Sequence, residues 1–250
     1  MQETGKMNEV SYKSPLYIQL REVIRNKIED GEYPPGTAIP SENQLAETYS
    51  LNRLSVRSAM DALENEGLIK RIQGKGAFVC GPRTQRDMET LGGFRHTMQE
   101  HGKDASVRIL VKAARQAGPY YSKVLQMNPD DKLWFIRRVD SGDGEPVALE
   151  EIYIPYDLMP NLDEIDLSLF SLYDAMSWSG IHLAESLQTL RITKLEPALA
   201  RLIDLSTEQA VMEFSYLTKD QKGRLVEFSR SYIRGDRTEF YVHYRNSGLL

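Results

Sequence analysis

Two arginines spaced one helical turn apart give this sequence a group that could bind a polyanion. Arg53 and Arg57 flank Ser55, and the next acidic residue is Asp61. On a helix, residues four apart share a face, so both guanidinium groups would project from its first half. Arginine donates paired hydrogen bonds to phosphate oxygens and to guanine base edges. The spacing therefore predicts a helix whose N-terminal half contacts a nucleic acid.

Two short helices would position these side chains. Ser41 and Gln44 have the spacing of a capping box, which predicts a first helix that runs to about Tyr49. Asn52 can cap a second helix, and Gly67 can end it. Apolar residues at three- and four-residue spacing form one face of this second helix: Val56, Ala59, Met60 and Leu63. The pattern is that of a helix-turn-helix, whose second helix enters the major groove of DNA.

A basic glycine turn follows the second helix. Residues 68–72 and 77–80 have strand character and flank the turn Gly74-Lys75-Gly76. They predict a two-stranded hairpin with a basic tip, which is the wing of a winged helix. An ordinary surface helical hairpin would explain the helices alone, but a wing at this spacing argues against that alternative.

These segments resemble the DNA-binding domain of the GntR family of bacterial transcription regulators. The matching stretches are residues 15–20, 31–36, 39–42, 53–57, 66–69 and 74–79. The chain departs from the family pattern at Asn43, where Arg is frequent, at Asn52, where Ser is usual, and at Ser55, where Thr is usual. The resemblance implies contacts to double-stranded DNA, in the major groove by the second helix and in the minor groove by the wing. The residues expected to contact DNA are Ser41, Glu42, Asn43, Asn52, Arg53, Ser55, Arg57, Lys75 and Gly76.

Length and charge favour two domains with different tasks. The chain has 250 residues, of which 41% are hydrophobic, enough for two cores. Its net charge of −5 by itself argues against a nucleic-acid binder. Residues 11–80, however, carry nine Lys or Arg and nine Asp or Glu, so this segment is neutral and basic only at its tips. We predict a DNA-binding domain at 11–80, a polar linker at 81–90 and a second domain at 91–247.

Several classes of protein are disfavoured by the residue types. A single cysteine, Cys80, excludes an internal disulfide and fits a reducing compartment. No stretch approaches the ~18 apolar residues of a membrane span, and the N-terminus has no signal-peptide core. We therefore expect a cytoplasmic protein without membrane contact. The histidines lack metal-ligand spacing, and no catalytic motif is present, so we expect no enzyme activity, no metal and no cofactor.

The second half reads as strand hairpins mixed with short helices, which predicts an α+β domain on a largely antiparallel sheet. Residues 144–150, 171–173 and 227–237 resemble the UTRA effector-binding domain of the HutC subfamily of GntR regulators. That resemblance implies a chorismate-lyase-like fold with a ligand pocket between the sheet and a helix that begins near Gly93. The residues expected in the effector pocket are Gly93, Phe94, Arg95, Arg138, Asp140, Glu150, Tyr153, Ser171, Tyr173, Glu227 and Tyr232.

Asp140 is a departure that bears on the ligand. Relatives that bind sugar phosphates have an arginine at the position of Arg138 and a second one two residues later, on the same face of the strand. Asp140 replaces that second positive charge with a negative one. A ligand with an anionic part and a cationic or hydroxyl-rich part would then suit the pocket better than a simple sugar phosphate. In the alternative, a strand slip turns Asp140 to solvent and the turn at Gly92-Gly93 binds a phosphate alone.

Together these features predict a ligand-responsive transcription regulator. We expect a repressor of a metabolic or transport operon that binds a pseudopalindromic operator as a homodimer. Its effector would be a small polar metabolite, anionic or zwitterionic, such as a sugar or amino-acid derivative. Two alternatives remain at this point: a small-molecule lyase fused to a DNA anchor, and a DNA-binding dimer without regulation.

Overall fold

The computed structural model describes residues 15–81 and 105–238, and these form two compact units. The first unit contains three helices, α1 (Leu16–Glu29), α2 (Glu42–Thr48) and α3 (Arg53–Asn65). Its strands are β1 (Ala38–Ile39), β2 (Ile69–Ile72) and β3 (Gly76–Val79), which form an antiparallel sheet in the order β1-β3-β2. This arrangement is the winged helix-turn-helix that the sequence predicts.

The apolar face of α3 holds this unit together. Its four predicted core residues are all buried, and they pack against Leu20 and Ile24 of α1, Leu45 of α2 and Val79 of β3. Since each of these side chains is 2% exposed or less, the burial fixes the orientation of α3 about its axis. The opposite face of α3 is consequently held towards the solvent.

The second unit is built on six long strands. They are β4 (Ala105–Gln116), β5 (Lys132–Gly142), β6 (Glu145–Pro155), β7 (Leu183–Lys194), β8 (Ala210–Asp220) and β9 (Leu225–Arg234). Their order in the sheet is β4-β5-β6-β9-β8-β7, and every neighbouring pair is antiparallel. The helices are α4 (Gly118–Leu125), α5 (Leu172–Trp178) and α6 (Pro197–Ala200), with 3-10 turns at Tyr156–Leu158, Leu162–Glu164 and Arg201–Ile203. The α+β prediction is thus confirmed.

The pleat of the sheet separates its side chains into two faces. We call the face that carries Arg138 and Glu150, which are cross-strand partners on β5 and β6, the charged face. Continuing across the sheet, Glu150 is opposite Ser231 of β9, which in turn is opposite Phe214 of β8. The other face packs α4 through a cluster around Tyr153 and Phe228, and α6 through a cluster around Tyr232. We call it the helix-covered face.

The sequence predicts hairpins from strands at 133–140 and 146–154 and at 211–218 and 225–233, and β5–β6 and β8–β9 confirm both. It also predicts a helix over residues 172–178, which is the extent of α5.

Two helices differ from the sequence prediction. A helix is expected over residues 123–127, but α4 begins at Gly118, because Pro119 suits the first turn of a helix. A helix is expected over residues 196–203, but α6 is only one turn long and continues as a 3-10 turn. The helix expected near Gly93 and a strand expected at 239–245 lie outside the described residues.

No helix within the described residues combines the length and the apolar character that crossing a membrane requires.

Candidate DNA-binding surface and candidate effector pocket

The start of α3 presents both arginines to the solvent. The side chain of Asn52 caps the helix by accepting a hydrogen bond from the Ser55 backbone N–H at 2.8 Å. Arg53 and Arg57 follow on the exposed face, and neither forms an ion pair with any described residue. Two guanidinium groups are therefore available at the positive end of a well-capped helix.

Leu54 is a candidate contact that sequence reasoning missed. It lies between the arginines and is 76% exposed, an unusual place for a large apolar side chain. The signal was present in the sequence, since Leu54 falls outside the helical spacing of Val56, Ala59, Met60 and Leu63. An exposed leucine at the start of a recognition helix can contact the methyl group of thymine.

The start of α2 has a structural task. The Ser41 side chain accepts from the Gln44 backbone N–H, and the Gln44 side chain accepts from the Ser41 backbone N–H, which completes the predicted capping box. Asn43 is exposed at the same helix end. Glu42 instead contacts Arg71 of β2 at 3.4 Å, so the structure gives this carboxylate a partner inside the protein.

Arg71 connects the wing to the helices. Its Nε donates to Glu64 of α3 at 2.8 Å, and its guanidinium also bonds to Asp61. The Arg71 backbone N–H donates to Glu64 as well, and together with the guanidinium it holds the pKa of Glu64 below its ordinary value. Arg71 thereby fixes the root of the wing against α3. The acidic second half of α3 is used for this contact.

The tip of the wing is a tight turn whose backbone conformation requires glycine. Gly74 and Gly76 have φ values of +77° and +108°, which favour glycine. Lys75, between them, is exposed. The structure thus brings the predicted residues of α2, α3 and the wing into one unit, with basic side chains at the start of α3 and at the wing tip.

On the charged face of the second unit, Arg138 is enclosed by carboxylates. Its Nε and Nη2 lie 2.6 and 2.5 Å from Oε2 of Glu150, and its Nε lies 3.4 Å from Oδ1 of Asp140. Burial by itself would lower the pKa of Arg138, but the charges of Asp140 and Glu150 outweigh this effect and raise it. Asp140 is 2% exposed, so the alternative in which it faces solvent is wrong.

Glu227 and Tyr173 complete this group. Glu227, on β9, is 1% exposed. Burial raises its pKa to about 7, and the nearby charge of Glu150 adds to the increase. Burial likewise raises the pKa of Tyr173, with further contributions from Glu227 and Glu150. Ser171 caps α5 by accepting from the Tyr173 backbone N–H at 3.2 Å, which places the tyrosine at the start of that helix.

Two predicted pocket residues belong to the other face, which corrects the sequence reading. Tyr153 and Tyr232 are separated from Glu150 and Glu227 by odd numbers of residues, so the pleat turns them away. The ring of Tyr153 stacks on Tyr121 of α4 with 4.0 Å between centroids. Tyr232 lies in the apolar cluster that packs α6. Both tyrosines stabilise the helix-covered face, and we leave them out of the pocket.

Other polar residues on the charged face were missed by the sequence reading. Thr218 and Tyr216 of β8 lie opposite Glu227 and Ser229 of β9, and Thr218 and Ser229 are fully buried. Their alternate spacing in the β8–β9 hairpin was the signal that could have identified them. The predicted residues Gly93, Phe94 and Arg95 lie outside the described residues.

Comparison with known proteins gives the family. The model for bacterial regulatory proteins of the gntR family matches residues 16–79, and the UTRA domain model matches residues 100–239, more than half of the chain. The chain belongs to the GntR family. Its combination of a GntR winged helix with a UTRA domain is the HutC type. This family consists of transcription regulators, not enzymes.

Two curated GntR relatives are similar over nearly their whole length. The HTH-type transcriptional repressor NagR of Bacillus subtilis (strain 168) is 29% identical over 231 residues, 92% of this chain and 94% of the relative. The mannosyl-D-glycerate transport/metabolism system repressor MngR of Escherichia coli (strain K12) is 28% identical over 235 residues, 90% and 94% of the two chains.

A solved structure supports the fold of this GntR regulator. PhnF from Mycobacterium smegmatis aligns with a TM-score of 0.60 at 24% identity, over 91% of this chain and all of that one. At this identity the likeness concerns the fold alone.

Proposed function

We propose that this GntR regulator is an effector-responsive repressor of a metabolic or transport operon. It binds a pseudopalindromic operator as a homodimer, with the start of α3 in the major groove and the wing tip at the minor groove. The observation that carries the proposal is the pair of exposed arginines on the capped first half of α3, Arg53 and Arg57, neither of which has an ion-pair partner within residues 15–81 and 105–238. Two relatives named as repressors, one of them of a transport and metabolism system, support it.

We further propose the division of labour between domains that the sequence predicts. Residues 11–80 bind DNA, residues 81–90 link the domains, and residues 91–247 bind the effector on the charged face. The effector is a small polar metabolite, a sugar or amino-acid derivative. Its binding shifts the population of DNA-competent molecules, which requires that it bind the competent and incompetent states with different affinities. A DNA-binding dimer without regulation would show no response of DNA affinity to any ligand.

The exposed apolar surface of the outer strand β7 supports the proposal that the protein is a dimer. Among the described residues β7 pairs only with β8, which leaves one edge of a 12-residue strand without a strand partner. Leu190 and Ile192 are 54% and 69% exposed, and their cross-strand neighbours Phe214 and Met212 extend the apolar surface. An exposed apolar edge of this kind is normally covered. We propose that a second copy of this chain covers it, because a single winged helix reads only a half-site and two-fold pairing supplies the other.

Footprinting of the purified protein on its own upstream DNA tests the repressor proposal. We expect protection of two inverted half-sites, and a ligand-dependent loss of that protection. Absence of sequence-specific protection would contradict the proposal.

Leu54 offers a test of the groove that α3 enters. We expect wild-type protein to lose about fivefold in affinity, ~1 kcal/mol of apolar contact, when one thymine of the half-site is replaced by uracil, which lacks the methyl group. Leu54→Ala should bind thymine and uracil operators equally, whereas Arg57→Ala should keep the preference for thymine. Fluorescence anisotropy with single-position uracil operators measures this. If Leu54→Ala retained the full preference, Leu54 would not be the contact.

Lys75 should act through charge alone. Its position at the wing tip predicts a contact to the phosphate backbone or the minor groove. We expect Lys75→Ala to weaken binding to operator and to random DNA alike, and to reduce the slope of log affinity against log salt by about one unit per protomer. Salt titrations on both DNAs measure the two effects. Loss of sequence preference at unchanged overall affinity would contradict this role.

A further inference from the structure

The two outer strands of the six-stranded sheet differ in their charged residues. β4 carries Arg108, Lys112 and Arg115 and no acidic residue, whereas β7 carries both signs, with Glu185 near its start and Arg191 near its end. Cations on an edge strand hinder its pairing with a second copy of the chain, because like charges would then meet. The β4 edge is protected in this way, and the β7 edge is not.

Arg191 and Glu185 have unused capacity for an ion pair. Arg191 is exposed and forms no ion pair with any described residue, although Glu213 lies opposite it on β8. Glu185 contacts Lys219 at 3.0 Å, but its side chain is still 67% exposed and has room for a second cation. β7 is paired regularly with β8 from Glu185 onward, so Glu185 and Arg191 point to the same face, the helix-covered face.

Two-fold symmetry restricts how the β7 strands of two copies could pair. When the strands run antiparallel, the axis is perpendicular to the sheet, so each face of one sheet continues as the same face of the other. Residues opposite one another then have numbers that add up to twice the number of the residue on the axis. There is consequently one register for each residue of β7 that could lie on the axis.

We infer that the β7 strands of two copies pair antiparallel with Gln188 on the two-fold axis. Arg191 is then opposite the partner's Glu185, and the symmetry repeats this ion pair at the other end of the paired segment. On the charged face Leu190 is opposite the small side chain of the partner's Ser186. This inference rests on the proposed function, because it takes the protein to be a dimer, and it adds which residues meet in the interface.

Neighbouring registers lose this match. With Thr189 on the axis, Arg191 would be opposite the partner's Leu187, and with Leu187 on the axis it would be opposite Leu183. With Arg191 itself on the axis, the two guanidinium groups would be opposite each other and would repel. Of all the registers along β7, the one with Gln188 on the axis is the one that pairs Arg191 with Glu185.

The ion pairs select the register, and other contacts supply most of the affinity. Exposed ion pairs contribute little to stability, but like charges placed opposite each other across an interface are unfavourable. The affinity would come from backbone hydrogen bonds along the joined edges and from the burial of three apolar side chains of β7. These are Leu187, Leu190 and Ile192, which are 63%, 54% and 69% exposed in the single chain.

Charge reversal in the full chain tests the ion pair. Arg191→Glu would set two carboxylates opposite each other at both ends of the paired segment, and Glu185→Arg would do the same with two cations. We expect each single variant to raise the dimer dissociation constant about tenfold, and the double variant to return to within about threefold of wild type. Sedimentation equilibrium measures this. Lys194→Glu is the control, because it makes the same charge change on β7 without an acidic residue opposite, and it should remain as dimeric as wild type.

A single introduced cysteine locates the axis. Cys80 is the only cysteine of the chain, so the variants are made in a Cys80→Ala background. Gln188→Cys would place two cysteines directly opposite each other, with Cα atoms about 4.5–5.5 Å apart, which permits a disulfide. We expect mild oxidation to give a covalent dimer. Leu190→Cys is the matched control on the same face of the same strand. Its two copies would lie more than ~13 Å apart along the strands and should not cross-link.

Two results would overturn the inferred register. One is a Leu190→Cys variant that cross-links as fast as Gln188→Cys, and the other is a double charge variant that is no more dimeric than the single ones. Either can occur while the wild-type protein remains a dimer that binds its operator, so it would remove the register and leave the proposed function standing. A wild-type protein that is monomeric by light scattering would remove both the register and the proposed dimer.

Discussion

Replacement of Arg57 by alanine is expected to weaken operator binding at least tenfold while leaving the protein folded. Arg57 is exposed on the first half of α3 and forms no ion pair with a described residue, so its loss breaks no ion pair within the part of the chain that the structure describes. A paired contact of arginine with guanine contributes ~1–3 kcal/mol of discrimination. In a two-fold complex the loss occurs at both half-sites, and a factor of ten corresponds to about 1.4 kcal/mol.

The controls separate charge from geometry. Arg57→Lys keeps the positive charge but loses the planar pair of donors, so it should retain the salt dependence and lose sequence preference. Arg201→Ala removes an exposed arginine from the second unit and should bind like wild type. Anisotropy titrations at several salt concentrations, together with thermal unfolding, measure these differences. If Arg57→Ala bound like wild type at every salt concentration, α3 would not be the recognition helix.

An aspartate in place of Ile192 is expected to have a still larger effect on DNA binding. Ile192 is 69% exposed on β7, so the substitution is tolerated in the single chain. In the proposed dimer it would bury a charge in an apolar contact. We expect light scattering to report a monomer. Operator affinity should fall by at least about a hundredfold, because each winged helix then binds its half-site independently of the other.

Tyr120→Asp is the matched control for this substitution. Tyr120 is 55% exposed on α4, which packs on the helix-covered face, whereas Ile192 faces the same side as Leu190 on the outer strand. The control should remain a dimer with wild-type operator affinity. A wild-type protein that is already monomeric, or an Ile192→Asp variant that remains dimeric, would show that β7 is not the interface.

The DNA-binding unit could be predicted closely because its signals are local. Ser41, Asn52 and Gly67 mark helix ends through backbone chemistry that acts within a few residues. The spacing of the α3 core then determines which side chains face outward. Leu54 was missed although it lies outside the core spacing of α3, because that spacing excludes it from the core without indicating that it contacts DNA.

The effector pocket was harder to predict, because it depends on register between strands distant in sequence. Arg138 and Asp140 could be placed on one face from the alternation of a single strand. Whether Tyr153 or Tyr232 shares that face depends on how β6 and β9 pair with β5, and the pairing turned both tyrosines away. That Glu150 binds the guanidinium of Arg138, and that Glu227 is buried close to Glu150, are properties of the assembled sheet.

Ligand-dependent footprinting tests the central claim of an effector-responsive repressor most directly. The wild-type protein, Arg57→Ala and Ile192→Asp would be compared on the DNA upstream of the gene and its neighbours, with and without the small polar metabolite that raises the unfolding midpoint most. We predict two inverted protected half-sites for wild type, centred about one helical turn or a multiple of it apart. The protection should disappear when that metabolite is added, and it should be absent in both variants. Protection that is equal in all three proteins, or that no ligand alters, would contradict the account.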